Sequence, residues 1–409
     1  MRDASFLRVG LEPTKDQGPV KSKAPASEKR FFMNDQRKQE LLHTPEGLWD
    51  HYGADYAQYE TVQSMIGETM HRYGYEDIKT PTFEFFDVFS RQIGTTPSRE
   101  LYKFFDKDGN TLVLRPDFTP SVARCAAKYF MDASQPLRFC YQGSAFTNTS
   151  NLQGKLKEST QMGAECINDD SAEADAEMLA LLIESLLNAG LDQFQITVGN
   201  VEYFRGVCAA AGLDEETEST LREYISGKNY FAAENLLSEL NIEARISGQF
   251  LQLTNLAGND EELKGLLESA PNETSASAIR RLMKVYSILK LYGYEKYISF
   301  DLSLLSQYRY YTGILFKAYT YGVGDQVASG GRYDTLLAQF GKDAPAIGFM
   351  FQIDTLMEAM RTQNVGPLVQ SSAELVTYTE ENYAQMLSKV QKARKAGRRI
   401  ALVSEAAGV

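Results

Sequence analysis

The chain has 409 residues, of which 42 are basic and 54 acidic, so its formal charge at neutral pH is −12. Hydrophobic residues make up 43% and charged residues 23%, which is ordinary globular usage and excludes disordered and fibrous classes. No stretch approaches the ~20 apolar residues of a membrane span. The segment 1–40 has no apolar signal core, so we expect a disordered lead-in there and a cytoplasmic protein of two or three domains.

The first predicted elements alternate between helices and strands. Gly74 is a natural left-handed cap for the first helix, and Pro81 excludes a helix and suits an edge or interface strand. The pair Asp108-Gly109 is a strong hairpin signal. In chain order, the patterns predict a helix over 56–72, an extended run over 77–86, hairpin strands over 101–105 and 111–115, a helix over 118–129 and a strand over 137–146.

The second half of the chain begins with a helix that Asp170 is predicted to cap and Gly190 to end. A long stretch rich in helix formers follows a half-buried strand at 194–198, and strand patterns then return. The remaining predictions are a helical insertion over 201–290, strands over 298–302 and 310–320, a linker over 364–372, and a final strand, helix and strand over 374–378, 381–396 and 399–403.

These elements indicate an α+β fold, because β-rich segments are separated by long helices without regular βαβα alternation. We divide the chain into the lead-in 1–40, a core in two parts, 41–200 and 291–365, the helical insertion 201–290 between them, and a C-terminal α/β unit, 371–409. The last unit is too small to hold a core alone and must dock on something.

Several common chemistries have no support in the sequence. His43, His51 and His71 are the only histidines, and none has the context of a catalytic triad. The four cysteines form no Cys-x-x-Cys pair, so we expect neither a disulfide framework nor a metal site. No P-loop occurs, and Gly322-x-Gly324 is better explained as a turn than as a nucleotide site. The tail helix is basic, but the rest of the chain is acidic and repels nucleic acid. We therefore expect this helix to be a solvated or partner-facing surface and not a nucleic-acid site.

Six ordered sequence blocks resemble the catalytic core of histidyl-tRNA synthetases, which have a class II aminoacyl-tRNA synthetase fold. The resemblance runs from about Leu41 to Met360 and implies an antiparallel sheet flanked by helices. The blocks are Thr44-Pro45-Glu46-Gly47, Thr80-Pro81-Thr82-Phe83-Glu84, Leu114-Arg115-Pro116-Asp117-Phe118-Thr119, Gln161-Met162-Gly163-Ala164-Glu165, Tyr310-Tyr311-Thr312-Gly313 and Gly330-Gly331-Arg332-Tyr333-Asp334.

The departures from that family concern the activation chemistry. Forming an acyl-adenylate concentrates negative charge on a phosphate, which arginines stabilise. The resemblance implies arginines at three positions where this chain has Thr147, Ser306 and Thr355. A shift in alignment leaves Arg309 or Arg361 as a substitute for one of the last two, but the stretch around Thr147 offers none. We therefore predict no aminoacylation and no catalytic residues.

The amino-acid pocket of the family is partly kept. The resemblance implies that Asp117, Thr119 and Gln161 face the ammonium group of a bound histidine. It also implies that Glu165 and Tyr311 face the imidazole, while Tyr333 lines the pocket; these six residues are the candidate histidine site. The family has the longer glutamate at the position of Asp117, and Ser306 cannot pair with a ligand carboxylate. The alternative is that these residues are retained as scaffold, because buried polar groups need partners with or without a ligand.

A synthetase core without the activating arginines, and with only the first β-α-β of the anticodon-binding domain, resembles the regulatory subunits of ATP phosphoribosyltransferase. This resemblance implies a homodimer through the synthetase-like core, a hetero-octamer with a short-form catalytic subunit, and histidine as inhibitor. No cofactor, tRNA or membrane is expected. Two alternatives remain, a free-standing histidine sensor and an active histidyl-tRNA synthetase with unusual chemistry.

Overall fold

The computed structural model describes residues 41–89, 96–149, 155–240, 242–253, 260–306, 310–369 and 373–405. The chain forms two compact units, Met1–Glu46 and Gly47–Val409, and the elements below belong to the second. The lead-in predicted over 1–40 lies outside the described residues. None of the described helices has the length and apolar character needed to cross a membrane.

The described residues contain long helices and mostly short strands. The helices are α1 (Gly53–Arg72), α2 (Thr119–Tyr129), α3 (Ala172–Ala189), α4 (Val201–Ala210), α5 (Glu215–Ser226), α6 (Tyr230–Glu239), α7 (Ala244–Gln252), α8 (Asp260–Ser269), α9 (Glu273–Tyr292), α10 (Ile353–Gln363) and α11 (Tyr383–Lys395). The strands are β1 (Glu76–Asp77), β2 (Phe83–Phe85), β3 (Lys103–Phe105), β4 (Thr111–Leu114), β5 (Leu137–Phe146), β6 (Glu158–Ile167), β7 (Phe194–Asn200), β8 (Ile298–Phe300), β9 (Ile314–Thr320), β10 (Ala328–Arg332), β11 (Ala346–Gln352), β12 (Glu374–Tyr378) and β13 (Ile400–Ser404).

Eight strands form the main sheet in the order β1-β5-β6-β11-β10-β9-β7-β8. The six inner strands, from β5 to β7, are antiparallel to one another, and the edge strands β1 and β8 run parallel to β5 and β7. The predicted α+β class with an antiparallel sheet flanked by helices is therefore confirmed. The neighbouring strands β6, β11 and β10 in its middle were not predicted, although the sequence block around Glu165 lies on β6.

One face of the sheet is covered by α1 and α3, whose apolar residues share one buried cluster with alternate residues of β6: Met162, Ala164 and Cys166. Helix α3 ends at Gly190 in the left-handed region, as predicted. Its cap is Ser171, whose hydroxyl accepts a hydrogen bond from the Ala174 amide at 3.1 Å. The predicted cap, Asp170, was wrong by one residue, because serine serves as well as aspartate at this position.

The described residues of 201–290 are mainly helical, as predicted, and form α4 to α8 and most of α9. Their buried side chains, among them Tyr203, Phe204 and Ile279, belong to the same apolar cluster as the strands β7 and β9. The boundaries proposed for a separate insertion, and for the other domains, stay predictions.

A small three-stranded sheet, β2-β4-β3, follows the first edge strand. The predicted hairpin is present as β3 and β4, and Gly109 has the positive φ (84°) that its turn requires. Helix α2 packs its buried residues, including Val122 and Ala126, with Phe139 and Tyr141 of β5 on the second face of the main sheet. Near the C-terminus, β12 and β13 pair in parallel around α11, the predicted βαβ arrangement.

Candidate functional site

The candidate site lies on the second face of the main sheet, where β6, β11 and β10 are neighbours. Glu165 is in register with Gly348, and Gly348 with Gly331, so their side-chain positions share this face. A Cβ on Gly348 would lie 1.6 Å from Glu165 Oε2, and one on Gly331 would lie 2.8 Å from Tyr311 Cε1. The two glycines are therefore what allows Glu165 and the Tyr311 ring to lie flat against the sheet.

Glu165 is the buried carboxyl of the site, with 1% of its surface exposed. The Thr119 hydroxyl donates to its Oε1 at 2.8 Å, and the Tyr333 hydroxyl donates to its Oε2. Burial raises the pKa of Glu165 to about 7, although both hydroxyl groups act in the opposite direction. Both carboxyl oxygens are thus fixed, and the group exchanges its proton near neutral pH.

Asp117 is a second carboxyl in the same surroundings. Its Oδ1 is buried, and burial raises the pKa of the group to about 7. Its charge also contributes to the raised pKa of Glu165. Two buried carboxyl groups whose ionisation is disfavoured create a pocket that favours a cationic group. An ammonium or imidazolium group has that charge.

Tyr141 of β5 is a site residue that the sequence interpretation missed. It is 3% exposed, stacks on Phe118 with ring centroids 4.4 Å apart, and is in register with Gly163. Its hydroxyl would lie 2.4 Å from a Cβ on Gly163. Burial and the charges of Glu165 and Asp117 raise its pKa. The sequence contained a signal for this position: on the predicted strand, Tyr141 alternates with Cys140 and therefore shares a face with Phe139.

Gln161 and Tyr311 are the other two predicted pocket residues on this face of the sheet. Gln161 is four residues before Glu165 on the same face of β6, and among the described residues its buried Oε1 has no hydrogen-bond partner. The Tyr311 ring lies against Gly331 and packs on Tyr310, with centroids 4.4 Å apart. The structure therefore brings Thr119, Glu165 and Tyr333 into direct contact and places Gln161 and Tyr311 along the same sheet face.

The three positions where the resemblance implies arginine have small side chains. Thr147 follows β5, and its amide donates to the Lys157 carbonyl at 2.9 Å. Thr355 lies in the first turn of α10, where its hydroxyl donates to Gln352 Oε1 at 3.3 Å. Ser306 lies in the connection after β8. None of these side chains carries a charge that could hold a phosphate.

The possible substitutes for these arginines do not supply the missing charge in the described part of the chain. Arg361, in the last turn of α10, is 70% exposed and lies 3.9 Å from Asp55. Arg309 lies outside the described residues. Arg115 is buried over the Phe118 ring at 3.9 Å, and it donates to the carbonyls of Thr80, Pro81 and Ser144 at 2.9–3.2 Å. These bonds hold the connecting loops together.

The residues of the Gly-Gly-Arg-Tyr-Asp block have different roles. Tyr333 belongs to the site, whereas Arg332 is 4% exposed and donates twice to Asp175 Oδ1 of α3, at 2.7 and 2.9 Å. Asp334 accepts from the Thr312 hydroxyl at 2.9 Å and from the Ala346 amide at 3.0 Å. Arg332 and Asp334 therefore join the sheet to its neighbours and leave only the tyrosine for a ligand.

The comparison with protein-family models matches residues 47–356 to the histidyl-tRNA synthetase model. Among characterised relatives, the ATP phosphoribosyltransferase regulatory subunit of Acetivibrio thermocellus is 37% identical over 356 residues, 87% of this chain and 85% of the relative. The regulatory subunit of Caldanaerobacter subterraneus is 34% identical, and the alignment covers 87% of this chain and 93% of that relative. The chain belongs to the family of ATP phosphoribosyltransferase regulatory subunits.

Solved structures agree with this assignment. An ATP phosphoribosyltransferase regulatory subunit/histidyl-tRNA synthetase from Bacillus halodurans superposes with a TM-score of 0.82 at 31% identity, covering 90% of this chain and 94% of that one. A histidyl-tRNA synthetase from Nostoc shares the fold, with a TM-score of 0.74 at 19% identity, covering 88% of this chain and 86% of that one. The chain is thus a non-catalytic subunit with a synthetase-like core, and the alternatives of a free-standing sensor or an active synthetase are disfavoured.

Proposed function

We propose that the chain activates a short-form ATP phosphoribosyltransferase catalytic subunit, in a cytoplasmic hetero-octamer, and takes part in feedback inhibition by histidine. The reaction joins ATP to phosphoribosyl pyrophosphate in the first step of histidine biosynthesis. The observation that carries the proposal is the buried contact of Glu165 with Thr119 and Tyr333, together with uncharged residues at the three arginine positions. Losing one such electrostatic stabiliser typically costs ~10²–10³ in rate, so the old chemistry is not expected.

Regulation without chemistry requires that the subunit contact the active and inactive states of its partner differently. A ligand in the pocket can bias that contact if it binds one arrangement more tightly. We propose histidine as this ligand and Asp117, Thr119, Gln161, Glu165, Tyr311 and Tyr333 as its site. A carboxylate can accept from an imidazole N–H, and a tyrosine hydroxyl can satisfy the other ring nitrogen.

The homodimer is proposed through α1 and the strand that follows Pro81. That strand is β2 of the small sheet, and it exposes aromatic rings: Phe83 is 52% exposed and Phe85 57%. Phe83 packs edge-on against Phe104 with centroids 5.6 Å apart, so the rings form one surface. An apolar surface of this kind favours burial against a second copy. Two other surfaces remain candidates for the catalytic subunit, the helices of 201–290 and the basic helix α11.

The direct test mixes the purified chain with a purified short-form catalytic subunit and measures phosphoribosyl-ATP formation. We expect stimulation, and inhibition of the stimulated rate by histidine. Absence of stimulation would favour the free-standing sensor. Histidine-dependent ATP–pyrophosphate exchange by the chain alone would instead establish a synthetase.

Calorimetric titration with histidine tests the pocket. Glu165→Gln removes the buried charge, and Tyr311→Phe removes one hydroxyl. A hydrogen bond to a charged group contributes about 1.5–3 kcal/mol, so Glu165→Gln should weaken binding roughly 10- to 100-fold. Glu158→Gln, at the exposed start of the same strand, is the matched control and should change nothing. Unchanged affinity in both pocket variants would show that histidine binds elsewhere on the chain.

A further inference from the structure

Three potential metal ligands from separate elements converge at the edge of the main sheet. They are His71 in the last turn of α1, Asp77 on β1 and Cys140 on β5. His71 Nε2 lies 3.1 Å from Asp77 Oδ2, and Cys140 Sγ lies 3.5 Å from Asp77 Oδ1. All three donor atoms lie within 4.8 Å of one another. We propose that this His71–Asp77–Cys140 cluster binds a divalent transition metal of the zinc type.

The backbone holds these ligands in place. Asp77 and Cys140 are directly paired in the parallel ladder, so their side chains lie on the same face. The Ile78 amide donates to the Cys140 carbonyl at 2.8 Å, which fixes the register. The turn after α1 is closed by the Gly74 amide, which donates to the His71 carbonyl at 2.9 Å, and Gly74 has φ +79°. The ligands therefore come from regular, hydrogen-bonded backbone.

The donor set selects the metal. Thiolate, imidazole and carboxylate together are typical of zinc, with bonds of roughly 2.0–2.3 Å, whereas calcium and magnesium prefer oxygen ligands alone. A tetrahedral centre with such bonds separates its ligand atoms by about 3.4 Å. With one donor atom from each residue, the three atoms lie within 4.8 Å of one another, so a metal at their centre needs them to draw together by an ångström or so. The side chains of His71 and Asp77 are 48% and 79% exposed, which leaves solvent access for a fourth ligand.

The charge of the cluster also favours a cation. The Asp77 carboxylate is 3.5 Å from the Cys140 thiol, which is 2% exposed. A bound metal displaces the thiol proton and neutralises the carboxylate, so metal uptake releases that proton to solvent. Two neighbouring cations have other partners: Arg138 pairs with Glu177, and Arg72 donates to the Thr69 hydroxyl at 3.0 Å. A metal bound here would link the C-terminal end of α1 to the edge strands β1 and β5.

The test uses the full-length chain stripped with a chelator and titrated with Co²⁺ as the probe. We expect one equivalent to bind with a thiolate-to-cobalt charge-transfer band, and Zn²⁺ to abolish the band by competition. Cys140→Ser should remove the band, and His71→Ala, a change at an exposed residue, should weaken binding roughly tenfold or more. Cys166→Ser, a buried thiol on the neighbouring strand, is the matched control and should keep the band. No thiolate band in the unaltered chain, or a band that survives Cys140→Ser, would overturn the proposal.

Discussion

At the scale of single residues, the pocket is defined by a carboxyl group whose surroundings favour its neutral form. Glu165 is buried against Gly348 and accepts hydrogen bonds from two hydroxyl groups. A neutral carboxyl can keep both contacts without a ligand, and a cationic ligand would favour its ionisation. Occupancy of the pocket and the proton on Glu165 are therefore coupled.

This coupling predicts how stability varies with pH. The ordinary pKa of glutamic acid is 4.5, and in the folded chain that of Glu165 is about 7. Below pH 4.5 both the folded and unfolded states hold the proton. As the pH rises from 4.5 to 7 only the unfolded state releases it, so the free energy of unfolding falls. Urea unfolding at pH 5 and pH 7.5 should show this fall.

The variant Glu165→Gln should reduce that fall by roughly 1–3 kcal/mol, because one titrating group has been removed. A part of the fall should remain, since the pKa of Asp117 is also raised to about 7. Glu158→Gln is the control and should behave like the unaltered chain. An equal fall in all three proteins would mean that Glu165 ionises normally in the folded state.

At the scale of elements, α3 is joined to α9 by two acid–base pairs of very different burial. Asp175 is fully buried, and its Oδ2 accepts from Arg281 Nε at 2.7 Å while Oδ1 accepts from Arg332. Glu173, two residues earlier, lies 2.9 Å from Lys284, with both side chains more than half exposed. The two pairs therefore allow the effect of burial on the stability of an ion pair to be compared within one helix interface.

Asp175→Asn should destabilise the chain by up to about 3–5 kcal/mol, because it removes the fully buried counter-charge of Arg332 and leaves that guanidinium paired only with the partly exposed Asp334, 3.1 Å away. Glu173→Gln should cost less than about 1 kcal/mol, because water screens the exposed pair. Urea unfolding of the two variants measures the difference. Similar losses would show that the Asp175 contacts are no more stabilising than a surface pair.

The elements also show what the sequence could and could not predict. The hairpin at Gly109, the helix ended by Gly190 and the C-terminal βαβ unit were predicted because their signals are local. Strand β6 was missed because Gly163 weakens its strand pattern and its polar residues serve the site. The contact of Glu165 with Thr119 and Tyr333 depends on strand register between distant segments. Sequence suggested it only through the family resemblance.

The same reason explains the His71–Asp77–Cys140 cluster. The sequence predicted no metal site, because the histidines and cysteines lack the close spacing of common zinc motifs. The parallel pairing of β1 with β5 brings Asp77 beside Cys140 although 62 residues separate them. Whether these donors meet is decided by topology, which spacing rules do not contain.

At the scale of the whole molecule, the exposed aromatic face of the small sheet is the surface most suited to a second copy. Phe83, Phe85 and Phe104 share one side of β2-β4-β3, because Phe85 and Phe104 are both in register with Leu112. Exposing three such rings to water is unfavourable, because aromatic side chains gain free energy when their apolar surface is buried. Aromatic residues at the centre of an interface commonly contribute at least ~2 kcal/mol each.

We therefore expect Phe85→Asp to weaken the proposed homodimer roughly 30-fold or more, because about 2 kcal/mol is lost and a charge is placed in the interface. Sedimentation velocity across a concentration series measures the change. Phe231→Asp is the matched control, since Phe231 on α6 is 75% exposed and lies on another element. A dimer that survives Phe85→Asp but dissociates with Phe231→Asp would move the self-association surface to the helices of 201–290. In that case the aromatic face of the small sheet would become the better candidate for contact with the catalytic subunit.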